Sequence, residues 1–348
     1  MKKLKIAQLV LPWIPLPPPE YAGTEWVVHS LTEELVKRGH DVTLFSVGES
    51  KTSAKLDYVF DKAFGLQDDV MKTVKGSFKP WRHVAHCFSQ HNKFDVIHSH
   101  AQFNGLPFAD VVDTPTLNTF HRVYEFENKD EKELLEHYSH LNYASISDSQ
   151  RTMDLNFVGT VHNGISTEKF SYQEEKEDFL LWVGRVVDKK GPKEAIKAAK
   201  KSGEKLILIG KKTRPEYFEK EIKPLIDGDQ IKFLGSMPQS KLVDYYQRAK
   251  AFLFPIKWNE PFGLVPVEAM SCGTPVVAFK NGGVTETVLE GKTGYLVNQK
   301  EGVDGLVTAL KKIKKIRPAD CRSHVESNFS VSKMAENYEK LYYKLLKE

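Results

Sequence analysis

Short apolar runs alternate with stretches of helical spacing along nearly the whole chain. KIAQLVL, from Lys5 to Leu11, reads as a buried strand. From Thr24 to Lys37 the residues Val27, Val28, Leu31, Leu35 and Val36 recur at helical spacing. Arg38-Gly39-His40 ends that helix, and VTLFSV from Val42 to Val47 is the next strand. DVIHSH, PTLNTF and ASISD supply three more strand-like pieces. Between Gln173 and Asp178 the pattern stops, because QEEKED is charged and lacks any apolar period, so it reads as a linker. The alternation then restarts with FLLWVGR, a helix from Pro192, KLILIG, a helix near Tyr217 to Ile226, and IKFLG. A helix from Ser240, AFLFPI, a helix after Pro266, PVVAF and GYLV complete it. Strands alternating with helices predict parallel sheets covered by helices. The expectation is an α/β protein with one domain over 1–170 and a second over 171–330. Met334, Tyr338, Leu341 and Leu345 predict a helix within 331–348, which either finishes the second domain or crosses back to the first.

The length of 348 residues suits two domains of ~100–200 residues each. With 41% apolar and 28% charged residues the chain is an ordinary globular one, and a net charge of +4 carries no nucleic-acid footprint. Cys87, Cys272 and Cys321 show no paired spacing, which points to a reducing cytoplasmic compartment. MKKLKIAQLVLPW imitates a signal peptide, yet Lys5 and Gln8 interrupt the run and prolines follow it, so it reads as a first strand. No run reaches the ~18 apolar residues of a membrane span. KKIKKIR, from Lys311 to Arg317, reads as a solvated basic helix face, with weak peripheral contact to anionic lipid as the alternative. EGKTG lacks the earlier glycine of a P-loop, since position 286 is glutamate, and reads as a turn. His83, His86, Cys87 and His91 run round several faces of one helix and do not converge as zinc ligands must. His98 and His100 share a strand face, lining an acceptor or sitting in the core.

In open parallel sheets ligands gather beyond the carboxyl ends of the strands, so the strand-to-helix loops are the informative places. YAGTE sets Gly23 before one helix, and EPFGLVPVE sets Gly263 before the helix that carries Glu268. Free N–H groups and the helix dipole favour anions at such points. GRVVDKKG, from Gly184 to Gly191, brings Arg185 and Lys190 to a strand's carboxyl end, as phosphate ligands or as solvated loop charges. Glu260 lies on the loop after AFLFPI, and Glu268 lies inside the helix that follows. A carboxylate accepts two hydroxyl donors well, so one glutamate can hold a hexose and the other a ribose, with cations on phosphates between them. That arrangement describes a nucleotide-sugar site. The alternative is two surface glutamates beside a turn.

The stretch from Glu260 to Ala278 resembles the E-x7-E signature of retaining glycosyltransferases of family 4, which have the GT-B fold. YAGTEWVVHSLTEELVKRGHDVTLF, SISDSQR, VHNGIS, LWVGRVVDKKG and GGVTETVLEGKTGYLV resemble other segments of that family, in the same order. The resemblance implies two Rossmann-like domains facing across a cleft, the first for acceptor and the second for nucleotide-sugar. It implies that Glu260, with the backbone amides of Phe262, Gly263 and Leu264, contacts the donor sugar. Glu268 then holds the ribose, and Arg185 and Lys190 neutralise the diphosphate. Gly23 lets the N-terminal loop approach phosphate and sugar, and His121 stands beside the donor sugar. The family usually has Gly-Gly where this chain has Ala22-Gly23, and a methyl group narrows the backbone choices there. The wording is also similar to a bacterial branch labelled UDP-glucose:tetrahydrobiopterin glucosyltransferase, which suggests UDP-glucose as donor. The expectation is a cytoplasmic, metal-independent, retaining hexosyltransferase without cofactor, acting on a small-molecule, glycan or lipid acceptor. A non-catalytic nucleotide-sugar-binding protein or a GT-B epimerase is the alternative.

Overall fold

Among the described residues, seven strands pair into one wholly parallel sheet and six into another. The computed structural model describes residues 2–19, 22–65, 78–124 and 129–347. The first sheet contains β1 (Lys5–Leu9), β2 (Asp41–Ser46), β3 (Lys55–Tyr58), β4 (Val96–Ser99), β5 (Thr116–Thr119), β6 (Asn142–Ser145) and β7 (Phe157–Thr160), in the order β3-β2-β1-β4-β5-β6-β7. The second contains β8 (Leu180–Val183), β9 (Leu206–Ile209), β10 (Ile231–Phe233), β11 (Ala251–Phe254), β12 (Val276–Phe279) and β13 (Gly294–Val297), in the order β10-β9-β8-β11-β12-β13. Every residue of β4, β5, β8, β11 and β12 is buried. β8, β11 and β12 are apolar throughout, as strands covered on both faces commonly are, whereas β4 (VIHS) and β5 (TLNT) bury polar side chains that pair inside the core, such as His98 Nε2 with Thr119 Oγ1 at 2.8 Å.

Among the described residues nine helices have eight or more residues, and six of them lie between strands while three follow the last one. They are α1 (Gly23–Lys37), α2 (Lys79–Phe88), α3 (Lys129–His137), α4 (Pro192–Ser202), α5 (Gln239–Arg248), α6 (Leu264–Ser271), α7 (Gly302–Lys312), α8 (Pro318–Asn328) and α9 (Val331–Leu345). α1 buries Val27, Val28, Leu31, Thr32 and Leu35, one stripe of its surface. In the basic run after α7, Ile313 and Ile316 are buried while Lys311, Lys312, Lys314, Lys315 and Arg317 are exposed. No helix among the described residues is long and apolar enough to cross a membrane.

The chain divides into two compact units, one of 1–164 with 331–348 and one of 165–330. In the first, Phe45, Val84, Phe88 and Ile97 belong to one core cluster. In the second, α4 packs on α7 and α6 on α8. The charged stretch 173–178 lies inside the second unit. There Lys176 Nζ donates to the carbonyls of Gln247 at 2.7 Å and Cys272 at 2.9 Å and to Thr274 Oγ1 at 3.1 Å. The chain enters and leaves this unit side by side, because Ile165 pairs with Ser330 and its N–H donates to Phe329 O at 2.8 Å.

Helix α9 belongs to the first unit. Tyr338 and Tyr342 on it are fully buried, and so, nearly, is Glu339 at 3% exposure. Arg38 Nη1 donates to Glu339 Oε2 at 2.9 Å, and Arg38 Nη2 donates to Ser332 O at 2.8 Å. His40 Nδ1 accepts from Leu4 N–H at 3.1 Å, so Nε2 carries the ring proton and donates to Glu339 Oε1 at 2.7 Å. Glu339→Ala leaves the buried His40 Nε2–H without an acceptor and takes one acceptor from Arg38, which keeps Glu34 and Ser332. It is expected to cost about 2–3 kcal/mol, read as a lower urea midpoint for the transition that includes α9.

Candidate functional site

In the second sheet the chain runs from β8 to β9 to β10, then returns to the other side of β8 as β11. The loops after β8 and β11 therefore leave neighbouring strands in opposite directions and open a crevice between them. The loop 184–191 carries Arg185 and Lys190, and the loop 255–263 carries Glu260, Phe262 and Gly263. Lys190 Nζ donates to Glu260 Oε2 at 2.5 Å, with 13% and 16% of the two side chains exposed. Lys189 Nζ stands 4.2 Å from the centre of the Trp258 ring, and Lys190 Nζ stands 5.3 Å from it. Lys257 N–H donates to Lys189 O at 2.9 Å and ties the loops together. Its Nζ pairs with Asp188 at 2.6 Å and Glu194 at 3.2 Å. Arg185 is exposed, with no ion pair among the described residues. Burial, and then the charges of Arg185 and Lys190, push the Lys189 amine below its usual range. Lys190 thus pairs with Glu260 while Lys189 stands over Trp258 and Arg185 lies exposed on the same loop, an arrangement ready for a multiply charged anion.

α6 starts directly after Gly263, whose φ of +93° is the left-handed region that a side chain disfavours. The first-turn N–H groups that follow have no partner within the helix. Glu268, on this helix, is only 2% exposed. Tyr246 OH donates to its Oε2 at 2.9 Å, and Gln239 Nε2 lies 3.4 Å from Oε1. A turn after β12 supports the Glu260 loop from behind. Gly283 N–H donates to Glu260 O at 2.7 Å. Gly282 has φ +60°, and a Cβ there would stand 2.4 Å from the same carbonyl oxygen.

The first sheet repeats the arrangement, with β4 returning beside β1 after β2 and β3. The loop after β1 leads to α1, which opens at Gly23, one residue earlier than the spacing suggests. Glu20 and Tyr21 of that loop lie outside the described residues. Ala22 takes φ −141° and ψ 106°, an extended conformation open to any residue, so its methyl group meets no backbone restriction. His100 follows β4 and His121 follows β5, with His100 Nδ1 and His121 Nε2 3.0 Å apart. His98 is a core residue, fully buried between Tyr342 OH at 2.7 Å and Thr119 Oγ1 at 2.8 Å. On α2 and beyond it the other histidines have separate partners: Val10 O for His83, Asp57 for His86 and Thr114 for His91. No group of three or more His, Cys, Asp or Glu side chains among the described residues could hold a metal.

Glu260, Lys190 and the α6 N-terminus therefore meet at one switch point, with Arg185 on the same loop as Lys190. Gly23 and His121 belong to the first unit. Gln8, Trp258, Lys189, Tyr246 and Gly282 were not singled out by spacing. Trp258 adjoins a quoted motif and Lys189 lies within one, whereas Gln8 is a single polar group inside an apolar strand and Tyr246 is a buried position on a largely polar helix.

Residues 21–169 match the model for Glycosyltransferase Family 4, and residues 165–328 match that for Glycosyl transferases group 1. The chain carries two glycosyltransferase domains. Relatives of the family 4 and group 1 domains include the D-inositol 3-phosphate glycosyltransferase of Corynebacterium diphtheriae, 25% identical over 86% of this chain and 84% of that one. The enzyme of the same name from Acidothermus cellulolyticus is 35% identical, over 34% of this chain and only 30% of its own length. Among solved structures, Anabaena HepE in complex with UDP-glucose superposes with a TM-score of 0.71 at 18% identity, covering 98% of this chain and all of that one. The fold is GT-B.

Gly282→Ala in the group 1 domain must displace the Glu260 carbonyl or lose its left-handed turn. A lowered thermal midpoint, by several degrees, is expected in differential scanning fluorimetry, together with loss of any ligand response of this domain. The family 4 domain has a different sensitivity. Burial pushes His83 and His121 from 6.5 down to about 4, and His98 and His100 well below 6.5. The unfolded chain takes up these protons near pH 6.5, and the folded chain does not. Their contribution to stability is thus complete above pH 6.5 and lost as the pH falls from there through 4. Thermal midpoints should drop progressively over that interval, and a flat profile from pH 7 to 5 would contradict the burial of these rings.

Proposed function

We propose that the chain is a retaining, metal-independent hexosyltransferase that moves glucose from UDP-glucose to an acceptor hydroxyl. The observation that carries this reading is the Lys190–Glu260 pair at the switch point of the second sheet, beside an unpaired Arg185 and the N-terminus of α6. In the free protein Lys190 occupies a Glu260 oxygen. An arriving diphosphate draws Lys190 and Arg185 to itself, which leaves the Glu260 carboxylate to accept from sugar hydroxyls. The amides of Phe262, Gly263 and Leu264 lie on the same loop. On this reading Glu268, whose Oε2 accepts from Tyr246 OH, holds the ribose hydroxyls. As the bond to the anomeric carbon breaks, negative charge grows on the departing diphosphate. Cations already in position stabilise that charge without reorganisation. Attack by the acceptor on the face the diphosphate leaves gives retention. On this reading Gly23 and His121 serve the donor from the first unit, which also takes the acceptor. HepE, crystallised with UDP-glucose, supports the choice of donor. Three cysteines, all free and buried, accord with a cytoplasmic site of action.

The test is a thermal-shift series with UDP-glucose, UDP-GlcNAc, UDP-galactose, GDP-mannose and ADP-glucose. UDP-glucose should raise the midpoint most, because a ligand that binds only the folded state stabilises it. A larger rise with another member replaces the donor named here. Slow release of UDP without acceptor is expected from the wild type, separating a transferase from a binding protein. Arg185→Ala and Lys190→Ala should each lower that rate by roughly 10²–10³. An Arg185→Ala variant at the wild-type rate would sink the phosphate assignment.

A further inference from the structure

A continuous chain of polar side chains runs through the core of the first unit and ends at His121. Tyr342 OH on α9 lies 2.7 Å from His98 Nδ1, and His98 Nε2 lies 2.8 Å from Thr119 Oγ1. Gln8 Nε2 donates to the same Tyr342 OH at 3.2 Å. The other end of that amide, Gln8 Oε1, lies 3.1 Å from His100 Nε2, and His100 Nδ1 lies 3.0 Å from His121 Nε2. Gln8, His98, Thr119 and Tyr342 are fully buried, and His100 is 3% exposed. His121 is half-buried, and its Nδ1 has no hydrogen-bond partner among the described residues.

An amide is not symmetric: its oxygen only accepts and its nitrogen only donates. Gln8 Oε1 faces His100, so His100 Nε2 carries the N–H. A neutral imidazole has a single N–H, so His100 Nδ1 is an acceptor. His121 Nε2 must then donate to it, which leaves a lone pair on His121 Nδ1. On the other arm Tyr342 accepts from Gln8 and gives its own proton to His98 Nδ1, and His98 Nε2–H donates to Thr119. No donor meets a donor anywhere along the chain. We propose that Gln8 and His100 are positioning residues that hold His121 as the Nε2–H tautomer, so that Nδ1 accepts a hydrogen bond from a hydroxyl of the donor sugar. The role toward sugar rests on the reading above that places His121 at the donor. The tautomer itself does not. An amide turned by 180° reverses both rings and makes His121 Nδ1 a donor, a different recognition chemistry. A site that accepts from a hydroxyl discriminates against sugars lacking that hydrogen.

The experiment is a long-range proton–nitrogen correlation spectrum of the full chain labelled with 15N-histidine at neutral pH, with His121→Asn to assign the signal. The expected wild-type pattern is a protonated Nε2 and an unprotonated Nδ1 at His121. The reverse pattern, or an imidazolium, overturns the proposal, and the pattern itself is read from the wild-type chain. In Gln8→Leu the His121 nitrogens should move toward the average of both tautomers, and kcat/KM for UDP release from UDP-glucose should fall roughly 10-fold. Thr119→Val cuts only the far end of the His98 arm, at His98 Nε2, and should leave the His121 tautomer as it was. An unmoved tautomer in a folded Gln8→Leu variant overturns the role of Gln8. UDP-glucose is then added to the wild type until the thermal shift saturates. If the tautomer is as expected but the His121 signals stay still, the placement of His121 at the sugar fails while the tautomer lock stands.

Discussion

In a sheet whose strands all run one way, every segment that leaves a strand leaves at the same edge. The chain cannot turn back locally, and it must cross over before it adds the next strand. When it reverses the direction in which strands are added, two loops part company at neighbouring strands. Both sheets here do so once, at β1/β4 and at β8/β11. Those two places hold His100 and the loop leading to Gly23 in the first unit, and Lys190 and Glu260 in the second. The chemistry is a consequence of where a parallel sheet must open.

The two places are furnished differently. The crevice of the second unit is ionic, with Arg185, Lys189 and Lys190 set against Glu260, and it is braced by backbone contacts that tolerate little added bulk. Lys190 is largely shielded from water, whereas Arg185 and Lys189 stay exposed to an incoming charge. The first unit instead uses neutral groups. Burial holds His98, His100 and His121 below the usual imidazole range, so these three act through the direction of their hydrogen bonds and not through charge.

β8, β11 and β12 were legible because burial on both faces leaves unbroken apolar runs. β3, KLDY, and β7, FVGT, were not expected, since neither has a buried position and neither stands out in composition. The segment expected as one helix near 217–226 is a single α-turn, a π segment and a 3-10 turn containing Pro224, whose missing N–H cannot continue an α-helix. The loop residues Arg185, Lys190, Glu260 and Gly263 were legible because charge and glycine mark loops. The partner of Gln8 lies 334 positions away, and no local pattern in β1 announces a tyrosine on α9. The apolar face of α9 shows that it packs somewhere. Where it packs is decided by Glu339 meeting Arg38 and His40, three residues that look like ordinary surface charges in the sequence.

That last helix makes the second unit an insertion in the first. Residues 165–330 are contiguous, bracketed by the pairing of Ile165 with Ser330, whereas the first unit is assembled from both sides of them. On a ribosome the inserted unit has all its residues before the first has its own. Until α9 emerges, the seven-stranded sheet lacks the Tyr342 hydroxyl that bonds Gln8 and His98 and the Glu339 carboxylate that joins Glu34 on Arg38. Synthesis therefore imposes an order in which the half that begins first is completed last, and a nascent chain carries an open, polar-lined seam in its first sheet for the whole time that the second is being made.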